Sequence, residues 1–300
     1  MGLARSAVAD RWLAARRDGS VVVVESTGSV SPPIALGLGG LTAVTALPDG
    51  RFALSADQHV YTVTLDAASL TLGTPQELAA KTDFTAISGL APDVLGRLLV
   101  ADGGAHRVWA IDAAGAVTPF AGSGTAGIAT DGADAVDAPL QRPSGVAVDR
   151  FGSTYIADPD ANRVWKVDPA GHITTYAGTG TAGPATGANG APITGRGTGV
   201  ALDHPTGVAV ADIQSAAYTT DSPPFTVLVA DTGNGVVRTL NSLGVVMGPT
   251  VDPKRATASG WDVDAPAAIS VDPGSRRLYA IDPTAGTVGR IDLAFRAASG

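Results

Sequence analysis

The sequence predicts an all-β protein, a six-bladed β-propeller of four-stranded antiparallel blades with a short first blade. Two observations carry this reading: a strand-and-turn frame that recurs six times along 300 residues, and the lack of any long segment with a helical apolar period. The punctuation is the third. With 38 Gly and 20 Pro, the chain sets Asp-Gly, Pro-Gly and Ala-Gly turns between short β-branched or aromatic runs.

The frame is clearest in 88–122, SGLAPDVLGRLLVADGGAHRVWAIDAAGAVTPFAG, which aligns without a gap on 144–178, SGVAVDRFGSTYIADPDANRVWKVDPAGHITTYAG. Each copy reads as an apolar strand, a turn closed by Gly, a strand ending in Ala-Asp, a second turn, Arg-Val-Trp, then Asp-x-Ala-Gly and a last strand. Weaker copies occupy 206–246 (TGVAVAD, TVLVADTGNGVVRTL), 266–298 (AAISVDPGSRRLYAIDPTAGTVGRID) and 41–72 (LTAVTALPDGRFALSADQHVYTVTLD). The first copy, 11–36, keeps RWLAARRDGSVVVVESTGSV and then meets Pro32 and Pro33, leaving too few residues for four strands. Residues 294–298 are therefore expected to lend it a strand and close the ring. The whole chain, 1–300, reads as one domain, because a sandwich would not repeat its turns at a period of about 50 residues.

The frame G-V-A-V-D, G-x-x-Y-I-A-D, N-R-V-W-K-V-D resembles the NHL-repeat family of six-bladed propellers, related in shape to the SMP-30-like and strictosidine-synthase-like proteins. Copies 88–122 and 144–178 match it closely and three others in part. The resemblance implies the fold far more than the function, since propellers host many chemistries. Within it lie two functional expectations: a binding scaffold, or a divalent-cation-dependent hydrolase (lactonase or esterase) or lyase of SMP-30-like type with its site in the central channel.

Composition narrows the partners. With 20 Lys+Arg against 28 Asp+Glu, the net charge of −8 argues against nucleic acid and anionic lipid. No apolar run is long enough to cross a bilayer, so membrane insertion is not expected. The absence of cysteine removes disulfides, thiolate zinc sites and cysteine nucleophiles. The N-terminal segment has no signal-peptide pattern, which predicts a cytoplasmic protein if the sequence is complete and a secreted or cell-surface one if a signal has been removed. A protein, peptide or glycan ligand is the expected partner.

Long connections, 123–143, 179–205 and 247–266, run from the last strand of one copy to the first of the next. Long loops on a rigid scaffold carry binding function, so the face they reach is the expected ligand face. Its candidate residues are Asp131, Asp134 and Asp137 in DGADAVD, and Asp203, His204 and Thr206 in the His-Pro-Thr step that opens the fifth copy. The second strand of each copy is read as ending in an acid: Glu25, Asp57, Asp102, Asp158, Asp231 and Asp282. Two readings stand for these six. They cap turns through backbone N–H groups, or some of them form a ring holding Ca2+ or another divalent cation. No cofactor is required by the sequence.

Other features take structural readings. GSGTAG at 122–127 and GTGTAG at 178–183 fit a Gly-rich phosphate pattern as text, but the residues after each cannot begin an amphipathic helix, so they read as exit turns. Trp109 and Trp165 share one position and read as packing between sheets, with Arg107 and Arg163 reaching toward turn acids. His59, His106, His172 and His204 lie too far apart in the frame for a three-histidine zinc site. The fifth copy carries an insertion, 212–224, read as a surface loop.

Overall fold

The computed structural model describes residues 3–5, 11–25, 30–66, 69, 71–79, 84–187, 191, 193–211, 225–247, 266–272, 277–282 and 287–292. It is an all-β propeller of antiparallel sheets, in which the described residues have only short 3-10 turns as helix. Sheet 1 holds Leu3–Arg5, Arg11–Ala15, Ser20–Glu25 and Ile34–Ala35, and sheet 2 holds Leu41–Ala46, Phe52–Ala56, His59–Val63 and Gln76–Glu77. Sheet 3 holds Ile87–Pro92, Leu98–Asp102, Arg107–Ile111 and Val117–Ala121. Sheet 4 runs outward from Gly145–Val148 through Thr154–Asp158, Arg163–Val167 and His172–Ala177 to Ala133–Asp134. Sheet 5 runs likewise from Pro205–Ala211 through Thr226–Asp231, Val236–Asn241 and Val245–Val246 to Gly195–Arg196. Sheet 6 has three strands among the described residues, Ala268–Asp272, Arg277–Asp282 and Thr287–Asp292. Among the described residues, then, five sheets have the four or more strands of a full blade, not the six expected.

One turn recurs because one residue pair dictates it. In Asp93 to Gly96, Asp112 to Gly115, Asp149 to Gly152 and Asp168 to Gly171, an Asp Oδ1 accepts the backbone N–H groups two and four residues on. The Gly in fourth place has φ of 78° to 90°, the left-handed region that a side chain disfavours. Asn241 does the same work before Gly244.

Apolar side chains fill the gaps between neighbouring sheets, not a single central core. Leu99, Leu140, Ile156 and Trp165 pack between sheets 3 and 4; Tyr155, Val229 and Leu240 between 4 and 5. Leu13, Val23, Leu41 and Phe52 join sheets 1 and 2, and Trp12 meets Tyr279 of sheet 6 with ring centroids 4.7 Å apart. The innermost strands touch in succession around a closed circuit, Leu3–Arg5 lying between Leu41–Ala46 and Ala268–Asp272.

This corrects the reading of the first copy. Its inner strand is Leu3–Arg5, so Arg11–Ala15 is the second strand and Ser20–Glu25 the third. The Asp18-Gly19 turn is thus the second turn of its blade. Residues 294–298 and the insertion 212–224 lie outside the described residues.

Candidate functional site

The inner strands begin at the face where the long connections return, here called the crossover face. In sheets 2, 3 and 5 the register slips at the head of the inner strand, leaving Thr42, Ser88 and Thr206 as the extra residue of a bulge. Ser144 takes the same place in sheet 4, its N–H sharing Ala157 O with the start of the ladder. A glycine follows in three of the four. A Cβ on Gly89 would lie 2.3 Å from Ser144 O, one on Gly145 2.8 Å from Thr206 O, and one on Gly207 2.5 Å from Ala267 O. Neighbouring inner strands therefore meet backbone to backbone. Hydroxyls bind them: Ser144 Oγ donates to Thr206 O at 2.8 Å, and Thr206 Oγ1 donates to Ala267 O at 3.0 Å. The throat so formed holds a cavity of about 80 Å3, with Ser88, Thr206 and the three glycines in its wall.

Of the six strand-end acids, the five whose side chains are described do not share one ring. Asp102, Asp158 and Asp231 are equivalent and fully buried, and each ties the incoming connection to the end of the second strand. Asp102 accepts the N–H groups of Thr85 and Ala86 and the Thr85 hydroxyl. Asp158 accepts those of Gln141 and Arg142 and the Trp165 indole N–H at 3.1 Å. Asp231 accepts Asp203 N–H, Asn234 Nδ2 and Arg238 Nε at 2.6 Å, Arg238 standing where sheet 4 has Trp165 and being as buried as its partner. Burial pushes the Asp158 carboxyl above the usual carboxylate range, against the backbone and indole N–H groups that hold it down.

The other three stand elsewhere. Asp57 lies one residue past its strand at φ 53°, exposed, with its carboxylate against Gly39, where a Cβ would be 2.1 Å from Oδ2. Glu25 ends the third strand of sheet 1, on the face away from the connections, 3.4 Å from Arg11. The cause is the inner strand Leu3–Arg5, which moves every later strand of that sheet one place outward. The Asp282 side chain lies outside the described part of its strand.

The six ligand-face candidates separate into two groups. The described parts of the connections 123–143 and 179–205 fold along the sheet edges, adding Ala133–Asp134 to sheet 4 and Gly195–Arg196 to sheet 5. Asp131 is thus held at the outer edge by Thr175, whose N–H and hydroxyl it accepts at 2.6 and 2.9 Å, and Asp134 lies 3.8 Å from His172. Asp137 follows them there, its N–H bonded to Asp134 O. Asp203, His204 and Thr206 stay at the mouth. His204 has φ 48°, donates its backbone N–H to Asn162 Oδ1 at 2.9 Å, and has Nδ1 2.6 Å from Asp203 Oδ1.

Beside them is a pair that the acid ring reading passed over. Arg142 Nε and Nη2 each bond Asp160 at 2.8 Å, and this holds Asp160 below the usual carboxylate range. The signal was the step Arg142-Pro143-Ser144, which aligns with His204-Pro205-Thr206. His59, His106 and His172 are far apart, on Glu77, Gln141 O and the Asp134/Asp168 pair. Among the described residues no three His, Asp or Glu side chains converge as metal ligands would.

Arg107 and Arg163 reach the exit turns and not the acids. Arg107 Nη2 donates to Ser123 O at 2.5 Å and Arg163 Nη2 to Thr179 O at 3.2 Å, over glycines 124 and 180, whose Cβ atoms would strike the guanidinium. Each guanidinium also faces the ring of Trp109 or Trp165, at 5.2 and 5.4 Å. That explains the two Gly-x-Gly runs without a phosphate.

No protein-family model matches the chain, and no curated protein does either. Solved structures do. An auxiliary nutrient binding protein from Bacteroides ovatus superposes with TM-score 0.68 at 16% identity, over 94% of this chain and 65% of its own length. The chain thus spans about two thirds of that protein. Regucalcin, a calcium-binding protein from Agrobacterium tumefaciens, gives 0.61 at 14% over 97% and 88%. A virginiamycin B lyase from Staphylococcus aureus gives 0.55 at 13% over 97% and 79%. At these identities the likeness is one of fold.

Proposed function

We propose that the chain is a non-catalytic binding propeller of NHL type that recognises a peptide or glycan, free or on a protein partner, at the crossover face around the channel mouth. The observation that carries this reading is a division among the polar groups there. The carboxylates of Asp102, Asp158 and Asp231 are occupied by internal donors, whereas Ser88, Arg142, Asp160 and His204 are exposed beside the throat. Paired surface groups of both signs and hydroxyls suit a neutral, hydrogen-bonding ligand. Asp203, His204 and Thr206 are its central contacts in this reading, with Asp131, Asp134 and Asp137 lateral to them. The three-stranded sheet 6 is then the sixth blade, a count supported by the closed circuit of inner strands.

The cation-dependent hydrolase or lyase is the second reading. It would require Asp102, Asp158 or Asp231 to exchange backbone and side-chain donors for a cation, and Glu25 to act from the far face. Calorimetry with soluble oligosaccharides and mixed peptides tests the first reading. Saturable binding that weakens roughly tenfold or more in His204→Asn, with Tm unchanged, supports it. Turnover of lactones or esters that stops when divalent cations are chelated would contradict it.

A further inference from the structure

Left-handed backbone is gathered at one face of this fold. Among the described residues four non-glycines have positive φ, Asp57 at 53°, His106 at 53°, Asn162 at 49° and His204 at 48°, and all four stand at the crossover face. Such backbone is disfavoured for a residue with a side chain and concentrates where geometry serves function. His204 is the most strained in kind. It precedes Pro205, and the proline ring pushes a residue in that place toward extended backbone. Asn162 holds it there. This residue caps the 3-10 turn Pro159–Ala161 of sheet 4, and its Oδ1 accepts the His204 N–H from the connection that enters sheet 5. His106 takes the same place in sheet 3, with Nδ1 2.5 Å from Gln141 O, next to Arg142. From each of two sheets a latch thus reaches into the next connection, at the steps Arg142-Pro143 and His204-Pro205.

The backbone that Asn162 fixes also sets the ring beyond it. His204 Nδ1 is 2.6 Å from Asp203 Oδ1, and Asp203 is anchored in turn by its own N–H on Asp231 Oδ1 at 2.6 Å. A carboxylate only accepts, so in the neutral imidazole Nδ1 carries the proton and Nε2 is the acceptor. The His204 side chain is 58% exposed, so Nε2 is set at the mouth and not inside the fold. We propose that Asn162 is a positioning residue for the crossover site: it presents His204 Nε2 as a fixed hydrogen-bond acceptor without touching the ligand, and the ligand group recognised there is an N–H or O–H donor. A recognition group already held in place has less freedom to lose on binding. The ligand half of this inference rests on the binding role proposed above, whereas the latch can be tested in the free chain.

Two variants isolate the latch. Asn162→Gly removes the acceptor and keeps the left-handed turn, since Gly235 at φ 65° caps the matching 3-10 turn of sheet 5. Asn162→Asp keeps an acceptor oxygen on a residue that tolerates this backbone. NMR of the ring nitrogens in the free chain, at about pH 9 where an ordinary imidazole is neutral, should show His204 as the Nδ1–H tautomer in the unaltered protein and in Asn162→Asp. Asn162→Gly should shift it to a mixture of tautomers. Pools of short peptides and soluble oligosaccharides, each set against its N- or O-methylated counterpart, then test the ligand by calorimetry. A binder should lose roughly tenfold in affinity on methylation and in Asn162→Gly, and recover in Asn162→Asp. Loss among the peptides identifies a peptide N–H, and loss among the sugars a hydroxyl. The proposal is overturned if the His204 tautomer is unchanged in Asn162→Gly, or if methylated compounds bind as well as their parents. If the tautomer follows the latch while none of the compounds binds, the latch stands and the binding role of the face falls.

Discussion

Gly145 and Gly207 show how one missing methyl group sets the shape of the channel. Their Cβ positions would fall 2.8 and 2.5 Å from backbone oxygens of the next inner strand, atoms that cannot swing aside. Gly207→Ala is expected to cost about 1–3 kcal/mol, read as a lower Tm, because two strands must move apart. Gly132→Ala is its control, with open space around the Cβ position and only local backbone strain at φ 86°. Asp158 gives a test in pH. Its folded-state pKa lies above the unfolded one because of burial, so its contribution is complete below the unfolded value and is lost as pH rises through the folded value. The stability gap between the protein and Asp158→Asn should therefore narrow from about pH 4 to pH 7; a gap that widens would mean that the N–H donors outweigh burial. An Asp at a strand end reads the same in sequence whether it holds a cation or a backbone. Only the positions of Gln141 N, Arg142 N and the Trp165 indole decide it.

At the scale of the element, the unit of this fold is a sheet plus the connection that enters it. Asp102, Asp158 and Asp231 are the staples between the two, and Asp102→Ala leaves the N–H groups of Thr85 and Ala86 and the Thr85 hydroxyl without their acceptor. The expected loss is about 1–3 kcal/mol, with faster amide exchange at 85–86 before the sheet itself opens. Exchange that rises uniformly through sheet 3 would show that the staple has no local role. The strands and the Asp-x-x-Gly turns were legible because spacing two residues in sequence fixes both the bonds and the left-handed Gly. The paths of 123–143 and 179–205 were not. Their short edge strands, Ala133–Asp134 and Gly195–Arg196, have two residues each and no alternation to read, and pairing with an outer strand is a tertiary event.

At the scale of the whole molecule, the seam between sheets 1 and 6 holds the ring closed. Trp12 is fully buried against Tyr279, and Leu3–Arg5 pairs with Arg11–Ala15 while touching the inner strands on both sides. Trp12→Ala should cost about 3–5 kcal/mol by denaturant unfolding, as a large aromatic deletion in a packed interior does. A loss below about 1 kcal/mol would show that the seam does not share in the cooperative unit. The misplacement of Glu25 came from this seam: a three-residue strand gives too little pattern to find, and missing it shifted the count of every strand in the sheet. The propeller itself was visible in the repeats, whereas the division of acids into buried staples and exposed pairs depended on which backbone passed each carboxylate. The most direct test of that division is a thermal melt after chelation, repeated with Ca2+, Zn2+ and Mn2+ in turn. With the acids engaged as staples, Tm should stay unchanged. A cation bound only by the folded chain at about a hundred times its dissociation constant adds about 2.7 kcal/mol, and a shift of that size, abolished in Asp158→Asn or Glu25→Gln, would contradict the account.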